Sequence, residues 1–114
     1  MIGESADSLI FPIEICSYKC SNINDVAFEW EARKAALNLR KHGISFSAAV
    51  EVFRDPDRVE RLDDTEDYGE TRWIAVGLVD GIVLVVVYVF RQNNIRIISA
   101  RKGNCIENEN YWNR

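Results

Sequence analysis

Long apolar runs are missing from this sequence. No stretch of 18 or more apolar residues occurs, so no segment reads as a membrane-spanning helix. The mostly apolar stretch from Leu9 to Cys16 is short, is interrupted by Pro12, and follows Glu4 and Asp7 without a basic leader. It is not expected to be a signal peptide, and a cytoplasmic protein with no membrane contact is expected. Cysteine is sparse and odd in number, with Cys16, Cys20 and Cys105 the only three, which points to free thiols rather than a disulfide framework. Cys16 and Cys20 could share a helical face, but no histidine lies near them, which makes a poor zinc site; neither a metal nor a cofactor is expected. Internal repeats and low-complexity tracts are absent as well.

What is present suits one small globular domain. The chain has 114 residues, of which 47% are hydrophobic. A domain of this size removes roughly two-thirds of its unfolded surface from water and folds without staples. The net charge of −4 conceals strong segregation. Between Asp55 and Glu70 eight acids stand against Arg58 and Arg61. Between Arg91 and Lys102 there are four bases and no acid, and between Arg33 and His42 four bases and the only histidine. A local basic surface attracts phosphate groups even on an acidic protein. The same pattern also suits a solvated surface with arginines packed flat.

Residues 1–26 mix Ser, Asn and Cys into short apolar runs, which fits either a poorly ordered extension or one added strand. "AFEW" (27–30) reads as a short strand or as a helix entry. Glu31 to His42 is predicted to be a helix capped by Gly43. At 100° per residue Ala32, Ala35, Ala36 and Leu39 form its apolar stripe, with Lys34, Asn38 and Lys41 opposite and His42 at the border. A second helix is predicted from the N-cap Ser45. Phe46, Ala49, Val50 and Phe53 form its buried face, and Pro56 ends it. The period then changes to two. Val59–Leu62, "TRWIAVGLV", "IVLVVVYVF" and "IRIISAR" read as four antiparallel strands, joined in part by turns at "DG" (80–81) and "QNN" (92–94). In the last strand, strict alternation sets Ile95, Ile97, Ser99 and Arg101 against Arg96, Ile98 and Ala100. A short helix is expected from Asn104 to about Trp112. Helices followed by an antiparallel meander make the fold class α+β. One sheet face should be covered by helix, the other by the terminal helix, the extension or a partner.

The strings "FEWEARKAALNLRKHGISFSAAVEVFRDP", "DYGETRWIAVG", "LVVVY" and "IRIISARK" resemble the BrnT family of type II toxins, in the family's order, over about residues 27–102. The resemblance divides the chain into an extension, 1–26, and a toxin domain, 27–114. It implies a RelE-like ribonuclease fold and RNA cleavage that stops translation. It also implies a hetero-oligomer with a neutralising ribbon-helix-helix antitoxin of the BrnA type. The last segment, "GNCIENENYW", departs from the family. Glu107 and Tyr111 match, but Cys105, Ile106, Asn108 and Glu109 stand where bases are common.

Metal-free RNA cleavage sets requirements of its own. The 2′-hydroxyl attacks the adjacent phosphate, so a group must take its proton, cations must neutralise the phosphorane, and a group must protonate the leaving oxygen. His42 is the candidate acid–base, because imidazole ordinarily titrates near roughly 6.5. Lys34, the counterpart of the family's helix lysine, contacts phosphate or acts as a base. Arg72 and Arg101 suit bidentate phosphate binding. These four are the catalytic candidates; Lys41, Arg96, Lys102 and Tyr111 are the RNA-binding candidates. Ion pairing of an arginine with Glu70 or the acidic loop competes with these roles. Trp73 and Tyr88 fit either base stacking or the core. Two non-enzymatic alternatives remain at this point: a co-repressor that only binds antitoxin, and a generic RNA-binding domain.

Overall fold

The computed structural model describes residues 15–19, 27–63 and 70–113. It is an α+β fold in which a mixed sheet of six strands carries helices on both faces. In chain order the elements are β1 (Ile15–Lys19), β2 (Ala27–Glu31), α1 (Ala32–His42), α2 (Phe46–Val50), a 3₁₀ turn (Glu51–Arg54), β3 (Val59–Asp63), β4 (Arg72–Val79), β5 (Ile82–Arg91), β6 (Asn94–Lys102) and α3 (Cys105–Trp112). The sheet order is β1-β2-β6-β5-β4-β3.

The four expected strands β3–β6 form the antiparallel meander, but the sheet extends beyond them. β2 joins β6 in parallel, pairing Phe28 with Ile95 and Glu29 with Arg96, and β1 pairs antiparallel with β2. "AFEWE" is therefore a strand. Phe28 and Trp30 point into the core while Ala27, Glu29 and Glu31 do not, a period-two pattern too short to separate from a helix entry by sequence alone. Of the N-terminal extension, residues 15–19 supply the outermost strand. Residues 1–14 and 20–26, including Cys20, lie outside the described residues, as do Asp64, Glu66 and Asp67 of the acidic segment.

Local chemistry sets the element ends. Gly43 closes α1 in the left-handed region at φ 73°, its N–H bonding the Leu39 carbonyl. The Ser45 side chain accepts from the Ala48 N–H at 3.0 Å, and the second helix tightens into the 3₁₀ turn before Pro56. Both hairpins use two-residue turns with positive φ, Asp80–Gly81 (50° and 82°) and Gln92–Asn93 (52° and 68°), whose twist matches that of the strands they join. α3 begins with a capping box, in which Asn104 accepts from the Glu107 N–H and Glu107 accepts from the Asn104 N–H,.

The larger core lies between the sheet and α1, α2 and the 3₁₀ turn. It is built from Phe28, Trp30, Phe46, Val50, Phe53, Tyr88, Ile95 and Ile97 with their smaller neighbours. The 3₁₀ turn sits directly on β4: a Cβ at Gly77 would lie 2.8 Å from Val52 Cγ1 and 3.1 Å from its carbonyl oxygen. On the opposite face α3 covers Ile74, Val76, Val83 and Val85 with the ring of Tyr111, a burial worth about 2 kcal/mol for one such side chain.

The expected stripe of α1 is corrected. Asn38 is the buried residue, at 7% exposure, whereas Leu39 is 51% exposed. The Asn38 amide donates to the Ala100 carbonyl at 2.8 Å and to the Ile44 carbonyl at 3.0 Å, and its oxygen accepts the Ala100 N–H at 3.1 Å. β6 outruns β2, and the side chain of Asn38 takes the place of the missing neighbour strand.

Candidate functional site

The alternation expected of β6 breaks at Ile98. Val87 pairs with Ser99, but the next residue, Tyr88, pairs with Ile97, so the register shifts by one. This β-bulge reverses which side chains share a face. Ile95, Ile97 and Ala100 all point into the helix-side core. Arg96 and Arg101, expected on opposite faces, therefore lie on the same one, opposite Val89 and Val85 respectively. Residues directly paired across strands share a face. Ile74 pairs with Val87 on one side and Arg61 on the other, and Asp63 pairs with Arg72. Arg61 from β3, Arg72 from β4, and Arg96 and Arg101 from β6 thus line one sheet face, the face that α3 covers at one end.

Three carboxylates lie on the same face. Glu29 meets Arg96 Nε at 3.1 Å and Asp63 is the strand partner of Arg72. Glu107 accepts from both terminal nitrogens of Arg101, each at 2.8 Å. That bidentate pair holds the guanidinium in one orientation. Hydrogen bonding to Glu107 raises Arg101 further above its already high range. In return the bonds from Arg101 hold the Glu107 carboxyl below the ordinary range, against its partial burial, helped by the Asn104 N–H and by the charges of Arg101 and Arg61.

The other candidates come from α1 and the strand ends. Lys34 and Lys41 are exposed and His42, the last residue of α1, is half-buried. Lys34 and Lys41 stand four residues before and three after Asn38, so they share its helix face. Because Asn38 bonds Ala100, that face is docked at the open edge of β6, on the helix side of the sheet to which Lys102, the strand partner of Leu84, also belongs, whereas Arg101, the partner of Val85, points to the opposite face. Lys102 is exposed. Tyr111 is 5% exposed and its hydroxyl donates to Asp55, so it fastens α3 rather than facing solvent. Tyr88 is buried at 1%, with its hydroxyl donating to Glu60; burial first, then Glu60, pushes the phenol well above its ordinary range. Trp73 packs against the main core, and Glu70 pairs with Arg91 at 3.1 Å.

Several contributors were not picked out from sequence. Arg61 shares the arginine face through the alternation of "VERLD", a signal that was available. Asn38 was signalled only by its chemistry, a polar residue of modest helix propensity inside a helix. Asp55 carries no local signal of its role: its carboxylate accepts the Leu78 N–H at 2.8 Å, the Asp57 N–H at 2.9 Å and the Tyr111 hydroxyl, joining the 3₁₀ turn, β4 and α3. Among the described residues no three His, Cys, Asp or Glu side chains are placed to share a metal ion, and no helix is long and apolar enough to cross a membrane.

Compared with known proteins, residues 30–107 match the family model described as "Ribonuclease toxin, BrnT, of type II toxin-antitoxin system". No curated protein matches the chain.

Proposed function

Since the chain belongs to the BrnT family, the ribonuclease toxins of type II toxin–antitoxin systems, we propose that it is a RelE-like endoribonuclease that cleaves RNA without a metal and thereby stops translation in the cytoplasm. The observation that carries this reading is the bulge at Ile98. It gathers Arg96 and Arg101 onto the face that already holds Arg61 and Arg72, while Asn38 docks α1, with Lys34 and Lys41, at the edge of β6 on the other side of the sheet. In this reading the phosphates of a single strand track over the arginine face and pass round the open edge of β6 to the bases of α1, both held on rigid elements.

In this reading His42 exchanges the protons of the 2′-hydroxyl and the leaving oxygen. Arg72 and Arg101 stabilise the charge that develops on the phosphorane, Lys34 holds the phosphate, and Lys41, Arg96 and Lys102 hold the flanking backbone. Fixed cationic donors are worth most when they are oriented before the reaction, and Arg101 is so oriented by Glu107. The protein partner is the antitoxin of the system; we propose that it is a ribbon-helix-helix protein of the BrnA type, which covers this face. A second reading, a weakly active toxin that chiefly binds antitoxin as a co-repressor, is favoured by one observation: Arg96 and Arg101 both face carboxylates.

Controlled bacterial expression with and without the antitoxin gene, followed by RNA integrity analysis, tests the proposal. Growth arrest with RNA fragmentation is expected, abolished by Arg72→Ala and reduced by His42→Ala. Purified folded toxin that leaves RNA intact rejects the ribonuclease reading in favour of the co-repressor.

A further inference from the structure

A cavity of about 240 Å³ opens between β3, β4 and α3, lined by Val59, Arg61, Val76, Glu107, Asn110 and Tyr111. Val59 and Val76 are direct strand partners and form an apolar floor beside the Tyr111 ring. Arg61, Glu107 and Asn110 make a polar rim. Glu107 belongs to the cavity and also grips Arg101 at 2.8 Å, so the cavity lies one side chain away from the proposed phosphate contact. A phosphate fits the rim but not the valine floor. A purely apolar ligand leaves the three polar side chains of the rim unused. A planar heterocycle uses both, its faces against Val59, Val76 and Tyr111 and its edge at the rim. Glu107 already accepts from Arg101 and the Asn104 N–H, so Asn110 and Arg61 are the groups placed to read that edge.

We propose that this cavity is the subsite for one unstacked nucleobase next to the phosphate held at Arg101, making Val59, Arg61 and Asn110 specificity-determining residues. The inference rests on the RNA-cleaving reading above and adds to it a single base-selective position. Sequence-selective proteins read RNA in this way, by splaying a base out of the strand and bonding its edge.

The test has two arms, one independent of catalysis. In the first, uncleavable 2′-O-methyl RNA oligonucleotides carrying 2-aminopurine at one position each are titrated into the full-length toxin. One position should change in fluorescence beyond its neighbours, and Val59→Phe, which fills the cavity, should remove that change. Asn110→Phe, at an exposed helix position, serves if Val59→Phe fails to fold. In the second arm, RNAs with a single abasic site are cleaved. An abasic site at the same position should lower kcat/KM about tenfold or more, the loss expected for one stacked base, and in both variants the ratio between intact and abasic RNA should fall toward one. RNA that is bound with no position-specific signal, or folded variants that keep the full ratio, overturns the subsite. A wild-type protein that binds RNA but cleaves none sinks the ribonuclease reading instead, and the fluorescence arm still decides the cavity.

Discussion

Replacing Asn38 by Ala should test whether one amide holds α1 against the sheet. The side chain makes three hydrogen bonds, to the Ala100 N–H, the Ala100 carbonyl and the Ile44 carbonyl, at a site only 7% exposed. Each such bond contributes a net of about 1 kcal/mol, and a buried group left unpaired loses about 1–3 kcal/mol. Water entering the vacated volume recovers part of that, so the expected loss is about 3 kcal/mol. A domain with about 5–15 kcal/mol of stability survives this, but its Tm should fall by about 10–20 °C. Asn38→Leu keeps most of the volume without the bonds and should lose nearly as much. Asn38→Asp should lose more, because it aims a carboxylate at two carbonyl oxygens. The proteins are made in an Arg72→Ala background to avoid toxicity and compared by urea unfolding at constant m-value. If Asn38→Ala and Asn38→Leu both stay within about 0.5 kcal/mol of the parent, the range of ordinary surface substitutions, the clamp is not what holds α1 and the argument fails.

Glu107 should make α3 docking pH-dependent. Its folded pKa lies below its unfolded value, so its contribution is complete above the ordinary glutamate range and disappears as pH falls through the folded value. Wild type should exceed Glu107→Gln by about 0.5–1 kcal/mol at neutral pH, a small figure because Arg101 is partly solvated, and the two unfolding curves should converge in acid. Asp55→Asn keeps the shape but removes the charge that accepts from Leu78 and Tyr111; amide hydrogen exchange in α3 should accelerate about tenfold, matching the ~1.5 kcal/mol of a charge-assisted bond, and unchanged protection would show that Asp55 does not fasten the helix. Gly77→Ala should destabilise by about 1–3 kcal/mol in chemical denaturation, because the new Cβ meets the Val52 side chain and carbonyl oxygen,. Antitoxin and RNA should compete for a catalytically dead toxin at moderate salt; independent, simultaneous binding would replace occlusion with an allosteric block.

Much of the architecture is determined by residues close together in sequence. The change from a 3.6-residue to a two-residue period separates α1 and α2 from β3–β6. Gly43, Ser45 and Asn104 mark helix ends because each satisfies backbone groups within its own turn, and "DG" and "QN" mark hairpins because those residues tolerate positive φ. The basic segments around Lys34–His42 and Arg96–Lys102 were equally visible, since charge is a property of composition.

Tertiary structure decided which of these groups meet. Strict alternation placed Arg96 and Arg101 on opposite faces of β6. The bulge at Ile98 reversed that, because burying Ile95, Ile97 and Ala100 together against the helices forces one residue out of register. Helical periodicity likewise placed Asn38 in solvent. It is buried because β2 ends before β6 does, and the open backbone of Ala100 needs a donor and an acceptor that Asn can supply and Leu39 cannot. Tyr111 could be assigned to RNA on family resemblance, yet Asp55, 56 positions earlier in the chain, binds its hydroxyl and turns the ring to the sheet. In each case the deciding partner is distant in sequence, and unpaired backbone or apolar surface that only the assembled sheet creates determines where the side chain goes.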